Sequence, residues 1–257
     1  MDTIPEAVLA GLWGLVAGSA LLLGAALGYG LRVPSWLVAT VMAFGAGVLI
    51  SAVSFELVGE SYDQGGLGPA VAGTLAGGVA YTAGNAALAR RGARHRKRSG
   101  DGGPGQRQPS EAQQEGSGVA LALGALLDGV PESAAIGVSL LDGGEVSLVT
   151  VVAVFLSNVP EGLSSSAGMR AAGRRPGYVF GVWGGIAAAS TASAVLGYAV
   201  VGGLPTGVQA AVTAVAAGGI LTMLADTMIP EAFARAHLAI GLVLVCGFLV
   251  SFGLSHA

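Results

Sequence analysis

The chain has 257 residues, of which 53% are hydrophobic and only 11% are charged, and its formal net charge at pH 7 is −3. Soluble domains carry roughly 25% charged residues, so this composition excludes an ordinary soluble protein and predicts an integral membrane protein. The single cysteine, Cys246, excludes an intrachain disulfide and a cysteine-cluster metal site. The 44 glycines favour closely packed transmembrane helices, because small residues let helix backbones approach.

Apolar runs predict an all-α fold of eight membrane-spanning helices, since a span needs roughly 20 mainly apolar residues. We place the spans at about 7–29, 37–58, 68–89, 118–141, 146–169, 178–202, 207–229 and 237–255. The N-terminus has no basic residue, unlike a cleaved signal peptide, so we expect its apolar run to remain as the first helix.

One connection is much longer than the others. Residues 90–117 are basic and polar, with no apolar residue larger than alanine, which predicts a disordered loop. The chain then consists of helices 1–3 (residues 1–89), this loop, and helices 4–8 (residues 118–257), within one transmembrane domain.

The basic residues orient the predicted helices. In an eight-span chain, all 12 Lys and Arg residues fall on one side of the membrane, and the positive-inside rule makes that side cytoplasmic. We therefore expect a multi-pass protein of the plasma or inner membrane, with both termini outside and the 90–117 loop in the cytoplasm.

A motif of five residues occurs in both the fourth and the fifth predicted span. Residues 128–132 read DGVPE and residues 157–161 read SNVPE. Positions i and i+4 share a helix face, so each motif places its first residue beside its glutamate. Each proline frees a backbone carbonyl about one turn earlier. Carboxylates and loose carbonyls facing one another predict a cation site.

The acidic residues of these motifs lie at similar depths. Asp128 is about ten residues from the inner end of span 4, and Glu161 is nine residues before Arg170. Glu132 lies about one turn further out, level with Ser157 and Asn158. Three carboxylates would then converge if spans 4 and 5 pack face to face. The alternative is a set of protonated carboxylic acids that cap kinked helices.

Three further acids lie in or near the spans. Glu56, near the outer end of span 2, is predicted to be a fourth metal ligand or an acid on the access path, or else an interfacial side chain that reaches towards water. Asp226 and Glu231 flank Pro230 towards the cytoplasmic side and are candidates for an exit path. An ion pair between Glu231 and Arg235, at i+4, is the alternative.

Spans 2 and 7 are weakly alike and run in opposite directions, as do the two proline–glutamate motifs, which is typical of an inverted repeat. Outside residues 90–117, the chain resembles the ZIP (Zrt/Irt-like) metal-ion transporters. The matching segments are VPES (130–133), SNVPEG (157–162) and, in span 7, AGG (217–219) with IPEA (229–232).

The resemblance implies transport of a divalent cation into the cytoplasm through a site formed by spans 2, 4 and 5. In that reading Glu132 and Glu161 match the family's glutamate ligands, Asn158 matches its asparagine, and Asp128 stands where the family has a histidine. No histidine lies inside any span, and span 6 lacks an acid. We therefore expect one mononuclear, oxygen-rich site in a divergent member.

The predicted cargo is Zn²⁺ first, with Mn²⁺ or Fe²⁺ as alternatives that suit oxygen ligands. The predicted partners are this ion and the lipid bilayer, with no resident cofactor and no nucleic acid; pairing into a homodimer stays open. A degenerate, non-transporting metal sensor or membrane scaffold is the main rival function. An intramembrane enzyme is a remote one, because the three histidines lie in loops or at the ends of spans, and Asp128 and Asp226 lack a glycine–aspartate signature.

Overall fold

The computed structural model describes residues 5–90, 117–142, 147–235 and 239–256, apart from the side chains of 117–121, 142 and 235. The described residues form eight helical rods. The rods are α1 (Glu6–Gly30), α2 (Ser35–Gly65), α3 (Leu67–Ala89), α4 (Ser117–Ser139), α5 (Leu148–Ala171), α6 (Pro176–Val201), α7 (Thr206–Met223, Leu224–Met228 and Ile229–Arg235) and α8 (Ile240–Ser255). The predicted disordered loop, 90–117, lies almost entirely outside the described residues.

Five of these helices, namely α1, α2, α5, α6 and α7, are long and apolar enough to cross a membrane. The other three are less apolar or shorter: α3 is rich in Gly and Ala, α4 carries two acids, and α8 has 16 residues. The prediction of an all-α protein with several membrane-length helices is confirmed. The count of eight spans and the orientation of the termini stay predictions.

Helices α2 and α7 each contain a π-helical segment, at Val53–Val58 and at Leu224–Met228. Both helices continue past the predicted ends, as far as Gly65 and Arg235. The extra turn of α2 is polar, and its Gln64 Nε2 donates to Glu60 Oε1 at 2.9 Å, an i,i+4 pair that supports a helix. Hydropathy reports only the apolar part of such a rod. π-Helical segments occur often at functional sites.

The eight helices pack in two groups of four. Bundle A contains α1, α4, α5 and α6, and bundle B contains α2, α3, α7 and α8. In bundle A, α1 packs along α5 and α6, and α4 packs along α6. In bundle B, α2 packs along α8, and α3 packs along α7. The bundles meet chiefly where α2 contacts α5 and where α7 contacts α4, and an apolar core fills the space between them.

The packing partners repeat under one exchange of helices. Exchanging α1 with α6, α2 with α7, α3 with α8 and α4 with α5 leaves the main helix–helix contacts unchanged. The two π-helical segments also exchange, since one lies in α2 and the other in α7.

Glycines bring helices together inside each bundle. A Cβ at Gly24 of α1 would lie 2.1 Å from Val159 O of α5, and a Cβ at Gly247 of α8 would lie 2.1 Å from Phe44 O of α2. Between the bundles, the Cβ at Gly45 would lie 3.2 Å from its nearest atom. Among the described glycines, every approach below 3.0 Å to another helix joins helices of one bundle. Each bundle is therefore packed more closely within itself than against the other.

We expect Gly247→Ala to destabilise the protein by about 1–3 kcal/mol or more, because the new methyl group overlaps a backbone carbonyl. Gly253 lies on the same helix with no atom within 4 Å of its ideal Cβ. Gly253→Ala is the matched control and should be neutral, or stabilising by up to about 1 kcal/mol. Thermal unfolding in detergent measures both. Equal midpoints for the two variants would contradict the close α2–α8 contact.

Candidate functional site

Helix α5 carries a run of polar residues into the interior of the protein. Its first turn is capped by Ser147, whose Oγ accepts from the backbone N–H of Thr150 at 3.1 Å. Further along, Ser157, Asn158 and Glu161 are all buried. This helix is buried by its contacts with α1 and α2. Polar side chains buried in this way need partners or ligands.

The three carboxyl groups of the paired motifs are almost completely buried. The exposed fraction is 1% for Asp128, 0% for Glu132 and 3% for Glu161. Pro131 and Pro160 lie inside helices that continue on both sides of them. Leu156 O, the carbonyl that Pro160 leaves without its helical N–H donor, lies beside Gly45 of α2.

A hydrogen bond links the two motifs. Ser157 Oγ lies 3.4 Å from Glu132 Oε1, between α5 and α4, and 2.9 Å from Val154 O within its own helix. The predicted register, with Glu132 level with Ser157, is therefore confirmed.

The amide of Asn158 has a defined orientation. Its Nδ2 donates to Ala17 O of α1 at 2.9 Å, and because a carbonyl can only accept, the nitrogen must face α1. Its Oδ1 is buried and has no hydrogen-bond partner among the described residues. A buried acceptor without a donor is uncommon in folded proteins and calls for an explanation, such as a bound ion or water. Asn158 therefore offers an oxygen ligand beside the carboxylates.

Asp128, on α4 of bundle A, accepts a hydrogen bond from a residue of bundle B. Tyr81 of α3, itself 2% exposed, donates its hydroxyl to Asp128 Oδ1 at 2.5 Å. Sequence reasoning missed Tyr81, although a tyrosine in a helix made largely of Gly and Ala was a usable signal. The bond joins bundle B to bundle A next to the candidate site.

We expect Tyr81→Phe to lower the free energy of unfolding by about 1–3 kcal/mol, because it removes a donor from a buried carboxyl group. Tyr62→Phe is the control, since Tyr62 is 54% exposed. Thermal unfolding of the purified protein compares the two. A Tyr81→Phe variant as stable as the Tyr62→Phe variant would show that this bond contributes nothing.

The acids are not brought together as the helix registers predicted. Within the described part of the chain, no three His, Cys, Asp or Glu side chains lie close enough to hold one metal ion. The layer of three carboxylates, which was predicted on the condition that spans 4 and 5 pack face to face, is therefore not formed in this arrangement of the described helices. The physical reason is that α4 and α5 share one bundle but pack chiefly on α6 and α1, and contact each other only slightly.

Glu56 lies in the π-helical segment of α2 and is engaged by hydroxyl groups. Its Oε2 accepts from Ser147 Oγ and, at 2.6 Å, from Thr150 Oγ1, both at the start of α5. Its Oε1 accepts from Ser255 Oγ of α8 at 2.9 Å. The positive end of the α5 dipole favours a carboxylate here. Glu56 thus ties bundle B to the first turn of α5, away from the paired motifs.

The two exit-path candidates lie in different environments. Asp226 is exposed on the π-helical segment of α7, whereas Glu231 is buried. The Arg235 side chain of the alternative ion pair lies outside the described side chains.

Comparison with known proteins adds no relative: no family model matches this chain, and no curated protein sequence matches it.

Proposed function

We propose that this protein carries a divalent metal ion across a membrane, as a divergent transporter of the ZIP type. The observation that carries the proposal is the burial of three carboxyl groups on two proline-containing helices, together with a buried amide oxygen that has no hydrogen-bond partner among the described residues. Ionisable groups inside membrane segments are costly, and they mark ion pathways by default. Asp128, Glu132 and Glu161, with Asn158 and Ser157, would bind the cargo.

The cargo is a hard or borderline cation. All the proposed ligands offer oxygen, which Mn²⁺ and Fe²⁺ accept, and Zn²⁺, the cargo that the family resemblance favours, also binds carboxylates. Because no three of the described acids form a group that could hold one ion, metal binding would require α4 and α5 to approach each other. The metal-bound state is thus proposed to differ from the arrangement described above.

We further propose eight spans arranged as an inverted repeat, with both termini outside. The exchange that preserves the helix packing, and the π-helical segments in α2 and α7, support two related halves. In inverted-repeat transporters the site lies where the repeats meet. The exchange pairs α4 with α5, which carry the candidate ligands.

The mechanism we propose is alternating access, in which bundle A moves against bundle B. Close glycine contacts inside each bundle, and looser apolar contacts between them, support two bodies that move as units. Glu56 would lie on the access side, and Asp226 and Glu231 on the exit side.

The test is metal uptake into proteoliposomes with and without a membrane potential. A divalent cation that moves down the potential gains about 4.6 kcal/mol per 100 mV, twice the value for one charge. We expect uptake to increase with an inside-negative potential. Uptake that is indifferent to its sign would contradict electrogenic transport.

The second candidate function is a metal sensor or membrane scaffold that no longer transports. The described residues contain no group of three acids that could hold one ion, which favours it. A protein that binds Zn²⁺ or Mn²⁺ when purified, but moves neither in proteoliposomes, would support this reading over transport.

A further inference from the structure

A cavity of about 310 Å³ opens where α1 ends, the chain turns into α2, and α5 reaches its last turns. It is lined by Gly28, Arg32, Pro34, Leu163 and Arg170, together with three further apolar residues. No acidic residue of the described part of the chain lines it. This cavity takes no part in the proposed cation site.

Arg32 and Arg170 have more N–H donors than the described hydrogen bonds use. A guanidinium has five N–H donors. Arg170 is partly buried, and its Nη1 donates to Tyr29 O at 2.5 Å, which anchors the side chain at the edge of the cavity. Arg32 is exposed, and within the described part of the chain its side chain has no recorded partner. Two positive charges therefore share one cavity, and none of the described residues lining it supplies a counter-ion.

The start of α2 adds to this positive potential. The helix begins at Ser35, directly after the cavity residue Pro34, and has neither a side-chain cap nor an acid in its first turn. The first N–H groups of a helix lack intrahelical acceptors and carry a partial positive charge. By contrast, the start of α5 is occupied by Ser147 and Glu56.

We propose that this cavity binds a phosphate group, either as a free phosphate or as the headgroup of an anionic phospholipid. Arginine binds phosphate oxygens in bidentate geometry, and helix N-termini favour anions. The volume is at the lower end of the range for small-ligand pockets, roughly 300–1,000 Å³, which suits a headgroup. Basic pockets between membrane helices on the cytoplasmic side are suited to such headgroups, and both arginines belong to the predicted cytoplasmic set.

The position of the cavity gives the anion a structural consequence. Gly28 and Arg170 belong to bundle A, while Pro34 leads into bundle B. A bound phosphate would bridge the two bundles at the end opposite to the contacts of Glu56. This proposal does not depend on metal transport.

The first experiment measures thermal unfolding of the purified protein in detergent with inorganic phosphate, against sodium chloride at the same ionic strength. A second arm uses nanodiscs of phosphatidylcholine with or without phosphatidylglycerol. We expect a saturable stabilisation in at least one arm. Stabilisation by phosphate alone identifies a free anion as the source, and stabilisation by phosphatidylglycerol alone identifies a lipid. The absence of stabilisation in both arms would overturn the proposal.

The second experiment places the effect at the cavity. Arg170→Gln and Arg32→Gln should each weaken the apparent affinity by roughly tenfold, the effect of one charge-assisted contact. Arg175→Gln is the matched control, since Arg175 is exposed, lies close in sequence to Arg170 and does not line the cavity. An equal loss in all three variants would show general attraction to basic surface charge and would refute a specific site. If a variant fails to fold, the comparison of phosphate with chloride on the parent protein still tests whether the protein binds phosphate.

Discussion

Glu161→Gln is expected to abolish metal uptake by proteoliposomes and to weaken metal binding by the purified protein by at least about 100-fold. Glutamine keeps the size and one oxygen of the side chain but removes the negative charge from a residue that is 3% exposed. Even groups that only orient a metal ligand contribute about 10–100-fold to affinity, so loss of a charged ligand should cost at least as much. The same result is expected for Glu132→Gln.

The control for this prediction is Glu60→Gln. Glu60 is a partly buried glutamate on α2 that accepts from Gln64, and it is not among the proposed ligands. Its replacement should leave uptake and affinity unchanged. If Glu132→Gln and Glu161→Gln bind Zn²⁺ and Mn²⁺ as well as the parent, the assignment of these residues as ligands is wrong.

Stability separates loss of a ligand from loss of the fold. Removing a charged group from water is costly even when it is hydrogen-bonded, so neutral glutamine should leave the metal-free protein as stable as the parent, or more stable. A ligand that binds only the folded protein raises the free energy of unfolding. Once the ligand concentration exceeds Kd, this increase grows with the logarithm of the ratio of ligand concentration to Kd. The metal-dependent rise in unfolding temperature should therefore disappear in both variants, while their metal-free midpoints do not fall.

Glu56→Ala is expected to let the two bundles separate at the start of α5. The substitution removes a carboxylate that accepts from Ser147 and Thr150 across the bundle boundary. Hydrogen bonds to charged groups contribute roughly 1.5–3 kcal/mol each, so we expect the open population to rise by at least about tenfold. A cysteine reporter at Val151, which is 3% exposed on α5, should then react faster with a water-soluble thiol reagent. The background is Cys246→Ser, because Cys246 is exposed.

Two variants act as a matched pair for this prediction. Thr150→Val removes a contact between the bundles, whereas Ser255→Ala removes one within bundle B. Only the first should raise the labelling rate. Equal rates in the Glu56→Ala, Ser255→Ala and parent proteins would refute a role in holding the bundles together. If Glu56 is instead a metal ligand, Glu56→Gln should lose metal binding as Glu161→Gln does.

The amino-acid sequence by itself determined the helices and singled out the buried acids. Apolar runs of membrane length can form only helices that satisfy their own backbone groups, and a carboxylate inside such a run is conspicuous. Positions along one helix follow from its geometry, so the level of Glu132 relative to Ser157 followed once the two helices were taken as antiparallel. The extra polar turns of α2 and α7 were missed, because hydropathy ignores helix beyond the apolar run.

Only the tertiary structure decided which helices are neighbours. A cluster of Asp128, Glu132 and Glu161 required consecutive helices α4 and α5 to pack face to face. Each of them packs chiefly on another helix of bundle A, so the three acids do not form one metal-binding group. The same packing brought Tyr81 to Asp128 and the start of α5 to Glu56. Periodicity and spacing in the sequence describe one helix at a time. Contacts between helices depend on where small residues such as glycine let two backbones approach, and therefore on the surfaces of both helices.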